Sequence, residues 1–368
     1  MKVNVMNMNK EVEVECSDSK LLEELCVVIS KKLNTTIDIV RLRSICSLWR
    51  SFLPPPPISH NIRIRHSKYL LFQTKIYRIQ PSLHDHNPTT SPPSNKGWII
   101  KVFQNTKSSK LHLLDLFTNK TLQIEETNEK VLNLMNFRVV ELFELYTQSY
   151  DENEIILRCP RGHDSKIILF SIEDRCMVFA IQDNSMLKVF NIGEMEYIQL
   201  KDDGEKNSYF DDIIHYKGQV YVVDKIGTIF WVNAFSLKLV QFSPKNIYYR
   251  FEYRCMWFNK KHLVEYDETL YVVNLKGVVH LKGVSAEVYK LDQELGKWLE
   301  VKDLGDASFV LGRDSNFALL AQDYYGCEGN CIYFYHLGMV FCFNLKNSKS
   351  KPAHIFWPFP TLFHSMGG

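Results

Sequence analysis

Three groups of residues are of types that could do chemistry. Cys327 and Cys331, spaced C-x3-C, are followed by His336, and thiolates with an imidazole are what a zinc ion takes. A structural zinc site wants four ligands, usually as two close pairs, and no second pair stands nearby in sequence. Cys331 also opens the apolar run Cys331-Ile332-Tyr333-Phe334-Tyr335, where a thiol packs as a small hydrophobe. The expectation is structural cysteines, close enough to oxidise, with no metal and no cofactor. Asp202-Asp203 and Asp211-Asp212 form two acidic pairs such as a hydrolase might use. A glycosidase, however, sets its carboxylates across a cleft, which sequence neighbours rarely do. Aspartates in a Gly- and Asn-containing loop or at a strand edge more commonly bond local backbone amides. His84 and His86 flank Asp85 in a proline-rich stretch and read as loop. Arg63, Arg65, His66 and Lys68 alternate with Ile62 and Ile64, the charged pattern with which an edge strand avoids pairing with another chain. No nucleophile elbow, P-loop or dinucleotide fingerprint occurs. The residues point to binding rather than to an enzyme.

The elements that would carry such binding fall into three zones. Residues 17–53 have a helical period and lack Gly and Pro almost entirely. Leu21, Leu25, Val28, Ile29 and Leu33 make one apolar stripe, with Ser17, Asp18 and Ser19 as N-cap residues ahead of it. After Asn34-Thr35-Thr36 a second periodic run carries Ile37, Val40, Ile45, Cys46 and Trp49, interleaved with Arg41, Arg43 and Arg50. Two helical segments this short bury little surface alone, so the module calls for a partner. Pro54 to Pro57 then favour polyproline II and end the helical zone, giving a semi-rigid linker over 54–68. A second Pro/Ser/Asn-rich stretch, 81–95, reads as a long exposed loop.

From about residue 69 to 368 the period becomes two. Trp98–Phe103 and Leu111–Leu116 read as a hairpin. The same phrase returns as Gln219–Asp224 through Gly227 into Thr228–Val232. It recurs as Thr269–Asn274 through Gly277 into Val278–Leu281, and as Cys331–Tyr335 through Gly338 into Met339–Phe343. Cys176–Ile181, turning at Asp183-Asn184 into Leu187–Phe190, is a looser copy. Phe179, Tyr221, Tyr271 and Tyr333 are separated by 42, 50 and 62 residues, the drifting period of propeller blades. The fold class is therefore mainly β: a small N-terminal all-α module followed by an irregular β-propeller of about six or seven blades. Propellers often close by letting one terminus complete the other's blade. The strand around Lys75–Ile79 is thus expected to share a blade with the C-terminal strands, with Trp357 at the seam.

Composition narrows the function class. Of 368 residues, 44 Lys+Arg oppose 42 Asp+Glu for a net charge of +2, so no nucleic-acid partner is indicated. The hydrophobic fraction of 45% supports a packed core. No apolar run approaches the ~18 residues of a spanning helix, so no membrane partner is expected, and the start of the chain does not read as a signal peptide. Nine scattered cysteines suit a reducing compartment, cytoplasm and/or nucleus, where the sequons at Asn34 and Asn119 stay silent.

Taken in order, the phrases carry a family resemblance. Lys20–Leu25, Ile29–Leu33, Arg41–Arg50 and the proline run resemble a plant F-box. More narrowly, the chain resembles plant F-box/kelch-type proteins of the SKIP23-like group, whose C-terminal part is the domain of unknown function 295. Thr74–Arg78, Lys96-Gly97-Trp98, Phe137–Leu142, Tyr209–Ile213, Tyr216–Gln219, Val288–Leu291, Gly326–Phe334 and Ile355–Pro358 extend the likeness through nearly the whole chain. The resemblance implies a substrate receptor of an SCF-type ubiquitin ligase. Its helices would dock a Skp-type adaptor, and through it a cullin-RING ligase, while the propeller presents a protein client. Leu21, Leu25, Ile29, Leu33, Val40, Ile45 and Trp49 would supply the adaptor-binding face. An F-box usually opens with Trp and then Leu-Pro-Glu; here the Trp position is polar and Leu22 replaces the proline, which removes a pre-set helix start. The alternative is a propeller interaction module with a degenerate F-box, uncoupled from ubiquitination.

Overall fold

The computed structural model describes residues 3–7, 10–14, 24–29, 32, 36–53, 62–63, 70–81, 96–104, 111–122, 137–149, 166–181, 184–192, 196–202, 208–244, 256–278 and 283–353. A hairpin of β1 (Val3–Asn7) and β2 (Lys10–Val14) opens the chain, an element the sequence reading did not anticipate. The helical zone forms α1 (24–29), α2 (Thr36–Ile45) and α3 (Ser47–Phe52). The second periodic run is thus two helices, because Cys46 is extended (φ −157°, ψ 172°) and breaks it. The interleaved arginines then lock the pair. Arg43 Nη1 donates to Arg50 O at 3.1 Å and also to Leu53 O, while Arg50 Nε donates back to Arg43 O at 3.2 Å.

The described remainder forms five strand groups. The first is β4 (Leu70–Pro81), β5 (Trp98–Gln104), β6 (Leu111–Leu114) and β7 (Phe137–Ser149), ordered β7-β4-β5-β6. The short β3 (Ile62–Arg63), within the 54–68 stretch, pairs with the start of β4. The second is the meander β8 (Lys166–Ile172), β9 (Arg175–Ile181), β10 (Leu187–Asn191) and β11 (Tyr197–Leu200). It joins the first sheet through one pair, Tyr146↔Ile167. The third is β12 (Phe210–Tyr216), β13 (Gln219–Asp224), β14 (Ile229–Asn233) and β15 (Lys238–Gln241). The fourth is β16 (Met256–Tyr266), β17 (Thr269–Val278), β18 (Gly283–Asp292) and β19 (Lys297–Val301). In the fifth, β20 (Ala307–Leu311), β21 (Asn316–Leu320), β22 (Cys331–His336), β23 (Met339–Asn344) and β24 (Lys349–Pro352) are ordered β21-β20-β22-β23-β24.

Two-residue turns at Lys217-Gly218 and Leu337-Gly338 hold both residues at positive φ (46° and 76°, 47° and 88°), the geometry that matches strand twist in a tight hairpin. Gly277 behaves otherwise. It lies inside β17 opposite Phe258, next to an irregularity in the β16 register, so the turn expected there is absent. The described residues form five groups, and β16 to β18 run to ten or eleven residues, which stretches the spacing between aromatics. The fifth group adds a pair, β20 and β21, before its hairpin.

Each group buries an apolar face against the next. Phe179 and Val189 of the second meet Ile213 and Val222 of the third. Val223 and Ile229 of the third meet Leu263 and Val272 of the fourth, whose Val273 and Val288 meet Phe309 and Ile332 of the fifth. The fifth packs on the first through Val310, Phe317 and Tyr333 against Ile76, Ile99 and Phe117. Leu71 of the first meets Ile167 and Val178 of the second, so the contacts return to their start.

The first and last groups meet at a seam that the described residues show in part. Lys75–Ile79 of β4 pair with β5 and β7 rather than with the described C-terminal strands β22 to β24, and Trp357 lies outside the described residues. Among the described residues the seam is held by side-chain packing, a β-bridge at Gly97↔Tyr324 and polar ties. Gly97 N–H donates to Asp323 O at 2.9 Å, Trp98 stacks on Tyr325 at 4.6 Å, and Arg78 Nη1 pairs with Asp323 at 3.5 Å. Gly97 is required there because a Cβ would stand 2.7 Å from Ile79 O and 2.9 Å from Gln80 Cγ. Gly97→Ala is therefore expected to destabilise by about 1–3 kcal/mol, read as a lower urea midpoint at unchanged slope. An unaltered midpoint would show that the seam tolerates the extra carbon.

Candidate functional site: a central cavity and an exposed helical face

The five groups place β7, β8, β12, β16 and the segment leading into β21 around one cavity of about 650 Å³. Leu142, Phe143, Tyr146, Tyr266 and Phe317 give it apolar and aromatic walls. Most charges facing it are already engaged. Lys101, fully buried on β5, donates to both oxygens of Asp314 at 2.7 and 2.6 Å and to Asn119 Oδ1 at 2.6 Å. Asn119 Nδ2 and Thr147 Oγ1 each donate to Asp314 Oδ2 at 3.0 Å. Burial alone would raise the Asp314 carboxyl, but the Lys101 ammonium and these donors hold it below the ordinary carboxylate value. Lys166 donates to Asp212 Oδ1 at 2.5 Å; burial nonetheless pulls the Lys166 ammonium below its ordinary value.

The paired carboxylates of the sequence thus prove to be ties between groups. Asp212 Oδ2 accepts from Leu263 N–H and from Asn316 Nδ2, both at 2.6 Å, joining the third group to the fourth and fifth. Asp211 Oδ2 accepts from Lys261 N–H at 3.0 Å, and Asp211 Oδ1 from Lys225 Nζ at 3.0 Å. The expectation of bonds to local amides holds for Asp212 with Ile213 N–H at 2.9 Å, yet the greater part of the network is long-range. Asp202 N–H donates to Ser208 Oγ at 2.8 Å. Asp203, His84, His86, Arg65, His66 and Lys68 lie outside the described residues. At the cavity wall burial would raise the Glu144 carboxyl, but hydrogen bonds from Tyr146 and Gln73 and the Lys75 ammonium hold it low. What the arrangement can do is accept a protruding group of another molecule.

The cysteine and histidine set separates. His336 sits at the far end of β22 beside Phe341, about 17 Å along the strand from Cys331. Burial pushes the Cys327 thiol up to about 12, which disfavours its thiolate. Cys331 instead meets Cys342 of the neighbouring strand, with Glu328 beside them. Cys342 and Glu328 were overlooked because nothing in linear spacing signals a cross-strand neighbour; the register of the hairpin alone reveals it.

The helical residues expected to bind the adaptor divide by accessibility. Leu25 is 50% exposed, Ile29 38% and Ile45 49%, and Val27 and Val28 beside them are exposed too. Val40 and Trp49 are half-buried. Leu21 and Leu33 lie outside the described residues. Cys26 and Leu53 are buried, giving the small module an inner side. Arg41 Nη2 donates to Phe137 O at 2.7 Å, tethering α2 to β7 of the first strand group. Exposed aliphatics on so small a module form the apolar patch a protein partner covers.

A β-propeller with an apolar helical module at its N-terminal side is the class these elements define. Residues 67–355 match the family model described as the KIB1-4 beta-propeller. A putative F-box protein of Arabidopsis thaliana (At1g65770) is 30% identical over 365 residues, covering 90% of this chain and 93% of its own length. A second Arabidopsis F-box protein (At2g26160) is 30% identical across 86% of this chain and 94% of its own, and the F-box protein SKIP23 is 26% identical across 86% and 83%. The chain belongs to the plant F-box proteins that carry a KIB1-4 β-propeller. Among solved structures, the WD40 domain of SCAP from fission yeast aligns at 11% identity over 76% of this chain and 65% of that one. Its TM-score of 0.25 is too low to build on. Among the described residues no helix is long and apolar enough to cross a membrane.

Proposed function

We propose that this protein is the substrate-recognition subunit of an SCF-type ubiquitin ligase. Leu25, Ile29 and Ile45, with Leu21, Leu33, Val40 and Trp49, dock a Skp-type adaptor and through it a cullin-RING ligase. The propeller holds a protein client at its cavity mouth and loops. The protein makes no bond itself; it raises the local concentration of a client lysine near the charged ubiquitin carrier. The observation that carries the reading is the set of exposed aliphatics at Leu25, Val28, Ile29 and Ile45 on a module tethered to the propeller by Arg41. F-box relatives along nearly the full length support it. The proposed compartment is the cytoplasm and/or nucleus, where reduced thiols persist.

The test is reconstitution. Purified full-length chain mixed with a Skp-type adaptor and cullin is expected to elute as one complex. Tagged chain recovered from cells with the proteasome blocked should bring down ubiquitinated client. Elution as separate species would remove the receptor reading and leave a propeller interaction module.

A further inference from the structure

Cys331 on β22 and Cys342 on β23 are diagonal neighbours, since Tyr333 is opposite Cys342 and Cys331 opposite Asn344 in the hairpin register. Alternation along a strand therefore puts both thiols on one face. Their sulfurs and a carboxylate oxygen of Glu328 all lie within 4.8 Å of one another. Among the described residues this is the one group of three Cys, His, Asp or Glu side chains so gathered. Both thiols are buried, 0% and 2% exposed, while Glu328 stands at the surface edge and gives the group an entrance. A tetrahedral zinc ion holds sulfur at ~2.3 Å and carboxylate oxygen at ~2.0–2.2 Å, so three donors this close need shift by only about half an ångström each to reach it.

The surroundings suit a cation. Two thiolates and one carboxylate carry one negative charge more than a divalent ion neutralises. Lys351 Nζ, 2.6 and 2.8 Å from the Glu328 oxygens, offsets that excess from just outside. Asn344 Nδ2 donates to Cys331 Sγ at 3.6 Å, the kind of supporting hydrogen bond that orients a metal-bound sulfur. Cys327 falls outside the group although it is closer in sequence to Cys331 than Cys342 is.

We propose that Cys331, Cys342 and Glu328 form a binding site for a thiophilic divalent cation, zinc by its ligand chemistry, with water in the fourth position. On binding, two metal–sulfur bonds form and the two thiol protons leave to solvent; nothing is oxidised or reduced. The ion would clamp the β22–β23 hairpin to the segment before it, at the face where the fifth strand group meets the first. The site uses none of the exposed helical residues, so it stands or falls independently of the ligase reading.

Purified full-length protein, prepared under reducing conditions without a histidine tag, is expected to retain one zinc per chain by plasma mass spectrometry. Cobalt(II) titrated into metal-free protein should give thiolate-to-metal charge-transfer absorption at one equivalent. Glu328→Gln, a surface change that leaves the hairpin core intact, should weaken cobalt at least tenfold. Cys331→Ser should abolish the charge-transfer band, and Cys327→Ser should keep it. Wild-type protein that gives no such band, a band that survives in Cys331→Ser, or a Cys331–Cys342 disulfide in the reduced preparation would each overturn the proposal. The wild-type titration needs no variant, so misfolding of a mutant cannot mask the result.

Discussion

Leu25→Asp should abolish capture of a Skp-type adaptor while leaving the propeller folded. Leu25 is half exposed on α1, beside Val28 and Ile29, and contributes nothing to the apolar clusters between strand groups. If an adaptor covers this face, a carboxylate placed there is buried without a partner, and the aliphatic contact is lost as well. The combined cost is about 3 kcal/mol or more, roughly a hundredfold in Kd. Trp49→Ala should cost less, since Trp49 is half-buried within the module already. Isothermal calorimetry on both variants, with melting curves as controls, separates a lost contact from a lost fold. Equal adaptor affinity for wild type and Leu25→Asp would mean the exposed aliphatics serve some other partner.

Asp314→Ala carries the largest expected effect on stability. Asp314 precedes β21 in the fifth group, and its partners Lys101, Asn119 and Thr147 all belong to the first. Removing the carboxylate leaves the Lys101 ammonium buried with Asn119 Oδ1 alone, at the seam between the first and fifth groups. Breaking a buried pair of this kind costs about 3–5 kcal/mol, a large part of the stability of a typical domain. Lys101→Met combined with Asp314→Leu removes both charges together and should recover much of the loss. Chemical denaturation of the three proteins decides the matter. A single mutant as stable as wild type would show that packing alone holds the seam.

Acid should strike the same region. The Asp314 carboxyl is held low in the folded chain, so its contribution is full above its ordinary value of 3.8 and disappears as pH falls through the folded value. His262, buried and hydrogen-bonded to Asn316, is driven well below its ordinary 6.5, first by burial and then by Lys260 and Lys166. The unfolded chain therefore takes up a proton there that the folded chain refuses, and stability begins to fall below about pH 6.5. A denaturation midpoint flat between pH 7 and pH 5 would contradict the His262 assignment; His262→Gln should flatten that part of the profile.

How much of this was legible beforehand follows from where each interaction lies along the chain. Period-two runs such as Gln219–Asp224 and the Leu337-Gly338 turn specify strands and hairpins by themselves, because backbone geometry and turn sterics act between near neighbours. The aliphatic stripe at Leu25, Val28 and Ile29 was equally plain, since helical spacing alone puts it on one face. Lys101, one charge inside the apolar run Trp98–Phe103, was a visible signal without a visible partner.

Other features were settled only in three dimensions. The number of strand groups depends on strand length and on the inserted β20–β21 pair, which aromatic spacing does not register. Asp314 finds Lys101 across 213 residues, and Asp212 reaches Leu263 across 51. Such pairings are chosen by which faces the stacked sheets bring together, and the same cross-chain selection joins Cys331 to Cys342 rather than to Cys327 and His336. Local sterics write the strands and helices into the linear order of residues. The partners of the buried charges and thiols are set by packing between distant segments, which leaves no mark on that order.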